Sequence, residues 1–374
     1  MISLNFILKS LFFNKRHWLS WLIWLVFILP AQAVELKVAI EKEVSQVKVG
    51  SSTTAIVKDS AGRELGKLSP MSSLSAKLQG TQIAIDNSVA AKELIIEPED
   101  DGYVWIGDRW YRGRTQLIRQ EDSITAVNQV DLEQYLYSVV GAEAVSTWPI
   151  EALKAQAVAA RSYALYKRNT TPSSLFDLDT TVGTQVYKGL DSEYTTTHQA
   201  VDDTSGQIMT YQNNVILAAF HSSSGGYTEN VEDVWTSPLP YLRAVVDYDQ
   251  ESPVFEWQQV IPVSKIKSLI AGVGNIRGLQ PVQMTPRGRV ITMQVTGDRG
   301  TTTISGTELR QALDLRSTLF RVSTDGSNLK VKGRGYGHGL GLSQWGAYYL
   351  AKKGVNYDRI LAHYYQNASL SQLE

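Results

Sequence analysis

The chain has 374 residues, long enough for two or three domains with separate cores. Its 36 Lys and Arg balance 37 Asp and Glu, so no whole-molecule field argues for nucleic acid or an anionic membrane surface; net charge averages over the surface and leaves room for a local basic groove. It has no cysteine, which excludes disulfides, thiolate zinc sites and a cysteine nucleophile.

The first 33 residues read as a secretory signal. Lys9, Lys15 and Arg16 precede the apolar run Trp18–Leu29, which Pro30 breaks, and Ala31-Gln32-Ala33 supplies a small-x-small cleavage pattern. Twelve helical residues rise ~18 Å, short of the ~30 Å hydrocarbon core. The competing reading is an uncleaved anchor. Nothing later is apolar for long enough to span a bilayer, so the mature chain is expected outside the cytoplasm, in a periplasm or cell wall.

Residues 34–100 read as a small β-rich module. Leu36–Ile40, Thr54–Val57 and Gln82–Ile85 alternate or are β-branched, and Gly50 and Gly62 mark turns. The acidic stretch Glu97–Gly102 reads as a loop or domain boundary. Strands resume at Tyr103–Ile106, Gln116–Ile118 and Ile124–Val127, and helical periodicity starts at Leu132. Pro149, Glu151 and an Ala-rich run predict a helix to Arg168. Val215–Phe220 reads as an apolar strand, and residues 250–322, with a strand at Arg289–Val295 and a short helix at Thr307–Leu313, as an inserted subdomain. Ser343 is expected to cap a helix to Lys352 that stops at Gly354, and Asn356 to cap a last helix ending near Tyr365. The fold class is therefore α+β and multi-domain: a β-rich N-terminal module, then a mixed α/β catalytic-type domain over 101–374 carrying an insert.

Phosphate-cradling glycine loops, HExxH and Gly-x-Ser-x-Gly are all missing. Beyond Ala33 the histidines are His198, His221, His338 and His363, with no closely spaced metal pair. A carboxylate mechanism remains. Glu143 follows the apolar approach Val139-Val140-Gly141-Ala142 and precedes a polar loop, where partial burial would raise its pKa as a general acid requires; on position alone an ordinary loop glutamate is the stronger reading. Lys154 and Arg161, seven apart, share a helical face and could line a groove for an oligosaccharide bearing carboxylates, or simply be solvated. The His221–Gly226 turn offers an imidazole and hydroxyls, Ser222 among them. The glycine-alternating run Gly333–Gly341 presents Tyr336 and His338, and Gln344 follows at a helix start.

Three stretches together resemble the stage II sporulation protein D family, also called SpoIID/LytB or amidase enhancers. They are Glu143–Tyr163 (EAVSTWPIEALKAQAVAARSY), the HSSSGG turn with Val234-Trp235 downstream, and GRGYGHGLGLSQWGA with Ile360-Leu361-x-His363-Tyr364-Tyr365. The likeness spans about residues 111–366. It implies a lytic transglycosylase of peptidoglycan glycan strands stripped of stem peptides, with Glu143 catalytic and Lys154 and Arg161 lining the groove. It also places His221, Ser222 and His338 near the cleft. A cell-wall amidase is the implied partner, and a non-catalytic glycan-binding enhancer of that amidase is the alternative function. Two departures stand out: Ala144-Val145 replaces the Met-Pro that follows the glutamate in many relatives, and the cysteine through which some relatives bind zinc is absent, so no cofactor is expected.

Overall fold

The computed structural model describes residues 34–373 apart from 87–88, 171–174, 181–183, 236, 268 and 271. The expected leader, residues 1–33, lies outside them. No helix among the described residues is long and apolar enough to cross a membrane.

The N-terminal strands build two sheets that touch along their apolar faces. One has seven strands, in the order Leu178–Asp179, Glu35–Val44, Ser123–Asp131, Arg114–Gln120, Glu93–Pro98, Ala55–Lys58 and Glu64–Leu68; the other has six, from Arg109–Tyr111 to Val89–Ala91. Period-two alternation sends Leu36, Val38, Leu94, Ile96, Leu117 and Ile124 inward, all fully buried. The boundary expected near residue 100 falls inside these sheets. Glu35–Val44 pairs antiparallel with Ser123–Asp131, Leu36 opposite Val130, so the β-rich part runs on to Asp131. The acidic stretch at 97–102 is only a turn within it, with Asp100 and Asp101 at positive φ.

Asp131 ends the last of these strands and caps helix α1 (Leu132–Glu143), its carboxylate accepting from the amides of Glu133 at 2.9 Å and Gln134 at 3.1 Å. Helix α2 (Ile150–Thr170) follows Pro149 as expected and is buried around nearly its whole girth from Ala152 to Leu165. Its alanines permit that. Small side chains let α1, helix α3 (Thr195–Asp202), the strand Gln207–Tyr211 and two C-terminal helices pack against one rod from several sides. Those C-terminal helices enclose the second core. One is capped at 3.3 Å by Ser343; the other starts after Asn356, whose side chain does not cap it, and the amide of Tyr357 instead donates to Glu151 Oε2 at 2.8 Å.

The inserted segment carries its own core around Ile261, Val290, Met293, Leu309, Phe320 and Val331. It holds two three-stranded sheets and helix α4 (Gly306–Leu313), and its strand Asn328–Arg334 pairs with Glu256–Pro262. The unit thus closes at Arg334 rather than at 322. The apolar run at 215–220 is not a strand throughout. Only Asn214–Val215 and Phe220–His221 pair, and the buried residues between them are irregular.

Candidate active site

A cleft of about 640 Å³ opens between α2, the His221 turn, the Tyr336–His338 loop and α4. The structure brings Glu143, His221, Ser222, Tyr336, His338 and Gln344 to its walls. Among the described residues that line it, Glu143 is the one carboxylate.

Glu143 is the last residue of α1, where the negative end of the helix dipole disfavours a second negative charge. Burial raises its pKa above the ordinary carboxylate value, while hydrogen bonds from the Val186 amide and the Gln344 side chain, and the charge of Lys188, pull the other way. The Val186 amide donates to Oε1 at 2.8 Å. Gln344 is held in turn by Gln156, whose Oε1 accepts from its Nε2 at 3.3 Å. Gln344 is the first residue of helix α5 (Gln344–Lys352), and after it comes α6 (Tyr357–Tyr364).

Hydrogen bonding fixes the His338 imidazole as neutral. The Leu340 amide donates to His338 Nδ1 at 3.0 Å, which leaves His338 Nε2 to donate to the Phe220 carbonyl at 2.9 Å. Burial and the nearby Arg289 push His338 down to about 4. His221 Nδ1 donates to the Leu340 carbonyl at 3.0 Å, and burial, followed by the neighbouring His338 ring and the charge of Arg289, holds its pKa well below the usual imidazole value. Its Nε2 is therefore a buried acceptor, and it has no partner among the described residues. Both His338 nitrogens are engaged, and no group of three potential ligands occurs among the described residues.

Two buried acidic residues hold the serine turn. Ser223 Oγ donates to Asp249 and Ser224 Oγ to Asp247, so only Ser222 of the three faces the cleft. Beneath it lies Arg289, 1% exposed, which the insert supplies. Its Nη2 donates to the Ser224 carbonyl at 2.8 Å and its Nη1 to the Gly337 carbonyl at 3.2 Å, while its Nε lies 3.4 Å from the buried carboxylate of Glu229. The alternating glycines answer to this closeness. A Cβ on Gly339, at φ +82°, would stand 2.3 Å from Arg289 Nη2, and one on Gly341, at φ +65°, 2.1 Å from the Ala219 carbonyl.

Lys154 and Arg161 do not line the cleft, which corrects the groove expected from their spacing. Lys154 Nζ pairs with Asp203 at 3.0 Å and Glu151 at 3.4 Å. Arg161 is fully buried, bidentate on Glu133 at 2.6 and 2.8 Å, and donates to the carbonyls of Gln207 and Val201. Helix geometry gives the reason. Residues two apart are ~200° apart round the axis, so the face of α2 toward the cleft carries Tyr163 and Lys167, with Gln156 behind Gln344, opposite the stripe of 154 and 161. Sequence reasoning also missed Arg310, which α4 brings in from the insert, and gave no role to Trp235, whose ring lies 5.4 Å from that of His338. Tyr163 belongs to the quoted helical stretch and could have been found by reading the other stripe. Arg310 has no local signal.

A family model for stage II sporulation protein matches residues 120–211, and one for a domain of unknown function (DUF8618) matches residues 242–341, which contain the insert. The chain is 36% identical over 276 residues to Stage II sporulation protein D of Bacillus subtilis (strain 168), covering 67% of this chain and 77% of that one. It is 35% identical over 269 residues to the protein of the same name from Bacillus amyloliquefaciens, covering 67% and 76%. To the Amidase enhancer of Bacillus subtilis (strain 168) it is 31% identical over 291 residues, covering 63% and 40%. Long matches of this kind, with more than three quarters of the sporulation proteins covered at 35–36% identity, place this chain in the stage II sporulation protein D family.

Proposed function

We propose that the protein is an exported lytic transglycosylase that cuts peptidoglycan glycan strands, with Glu143 as acid and then base. The observation that carries the reading is a lone carboxylate, raised in pKa by burial, in a cleft of oligosaccharide dimensions. A glycoside hydrolase ordinarily needs two carboxyl groups, one as acid and one to activate water or attack the sugar. A transglycosylase needs one. Protonated Glu143 donates to the oxygen linking N-acetylmuramic acid to N-acetylglucosamine, and that bond to C1 breaks. The carboxylate then takes the proton of the C6 hydroxyl as its oxygen bonds to C1, leaving a 1,6-anhydro end and a protonated Glu143. Atoms balance without water.

The surrounding residues support this chemistry. Gln344 and the Val186 amide orient the carboxyl, the His221 Nε2 lone pair is an acceptor for a sugar hydroxyl, and Tyr336, Tyr163 and Trp235 offer aromatic faces to pyranose rings. The name of one relative, Amidase enhancer, favours a second reading in which the cleft holds glycan without cutting it and so assists a cell-wall amidase. Glu143→Gln separates the two. On the first reading the variant binds denuded strands but loses ~10²–10⁴-fold in cleavage; on the second, neither protein cleaves and both bind.

A further inference from the structure

A second groove, of about 730 Å³, lies on the insert and is lined by Glu256, Trp257, Arg287, Arg321, Lys332 and Arg334 among others. All four of these cations are exposed, and among the described residues none of them forms an ion pair. In a chain of near-zero net charge this is a local concentration of one sign. The strand register makes it more marked. Lys332 stands directly opposite Arg321 across one ladder and opposite Gln258 across the other, while Arg334, two residues on, falls on the same face. Like charges directly opposite in an antiparallel pair repel and destabilise the sheet. Among the residues paired with them in these ladders, the one carboxylate is Glu256, opposite Arg334. An anionic ligand would offset that repulsion.

We infer that this groove is a subsite for the carboxylates of a sugar-acid polymer, and that the strand it holds continues into the cleft at Glu143; the inference rests on the glycan reading of that cleft. Arg334 lines the groove and Tyr336 the cleft, two residues apart in one segment, at most ~7 Å of backbone. The groove and the cleft thus adjoin along the chain at Gly335, as a ligand that occupied both would require. Muramic acid freed of its stem peptide carries a lactyl carboxylate on every second sugar, a regular row of anions. Planar guanidinium groups meet carboxylates with paired hydrogen bonds, and Trp257 adds an indole to the same wall. A phosphodiester polymer would need the cations but not the indole.

The test is equilibrium binding of denuded glycan strands to the full chain carrying Glu143→Gln, so that the strands are not consumed. It is run beside strands whose carboxylates have been converted to methylamides. Neutralising the strands is expected to weaken binding about tenfold, and adding Arg321→Gln with Lys332→Gln should abolish that discrimination. The charge-preserving pair Arg321→Lys with Lys332→Arg should retain it, which a merely structural role would not predict. Equal binding of both strands by the parent protein, full discrimination by the neutralised pair, or equally tight binding of poly(glycerol phosphate) would each overturn the inference. If the wild-type protein cut nothing yet discrimination followed these charges, the subsite would stand and the cleavage reading would fall.

Discussion

Arg161 and Glu133 face each other as a bidentate pair between α2 and the first turn of α1, with Arg161 wholly out of solvent. Removing one partner of such a pair leaves a charge buried without compensation. Arg161→Ala is therefore expected to cost ~3–5 kcal/mol in urea unfolding. Lys154→Ala, which loses only a partly exposed pair, should cost at most ~1 kcal/mol. Equal, small effects for the two would contradict the placement.

Arg289 ties the insert to both loops of the cleft, and Gly339 makes room for it. Gly339→Ala meets both a left-handed backbone and the guanidinium, so it should unfold at lower temperature than the parent. Cleavage should fall with it, as the His338 loop shifts. A variant with unchanged melting and unchanged activity would show that the loop has slack that the structure does not.

The pKa of Glu143 is raised in the folded chain, so the fold binds its proton more tightly than the unfolded chain does. Its ionisation then costs stability, a cost absent below the unfolded value and complete above the folded one. Glu143→Gln should be more stable than the parent at neutral pH, with the advantage shrinking as pH falls toward the ordinary glutamate value. Parent activity should decline as pH rises through the folded value. Thermal melts and initial rates over the same pH series check both signs.

His338 works in the opposite direction. Its pKa is lowered to about 4, so between there and the ordinary imidazole value near 6.5 only the unfolded chain takes up its proton. Stability from this group is present above that window and lost as pH falls through it. His338→Gln, which cannot titrate, should flatten that part of the stability profile relative to the parent; an unaltered slope would contradict the neutral, doubly bonded imidazole.

Lys332→Gln removes one side of the cross-strand repulsion with Arg321. It should raise stability by ~0.2–1 kcal/mol while weakening glycan binding. Such opposed changes mark a residue kept for its ligand, and a loss of both would mark a structural one.

Much of this was legible in the sequence because the signals were local. Pro149 with an alanine run gave α2, Ser343 gave the start of α5, and Glu143, Tyr336, His338 and Gln344 lie in stretches specific enough to carry a family resemblance. What stayed hidden depended on partners remote in sequence. A spacing of seven puts Lys154 and Arg161 on one face but does not say which face meets the cleft; Glu133, Glu151 and Asp203 decide that. The domain boundary at 100 misled because the strand that Glu35–Val44 joins comes some ninety residues later. Arg289 and Arg310 reach the site from an insert whose own sequence reads only as strands and a short helix.

The fate of the sugar at the cut distinguishes a transglycosylase from a hydrolase or a binder. Mass analysis of the ends released from denuded glycan by the wild-type protein decides among the three. New muramyl ends lighter by one water than a reducing sugar, absent with Glu143→Gln, are the predicted result. Ends that have gained water, or no new ends from a protein that still binds the strand, would contradict it.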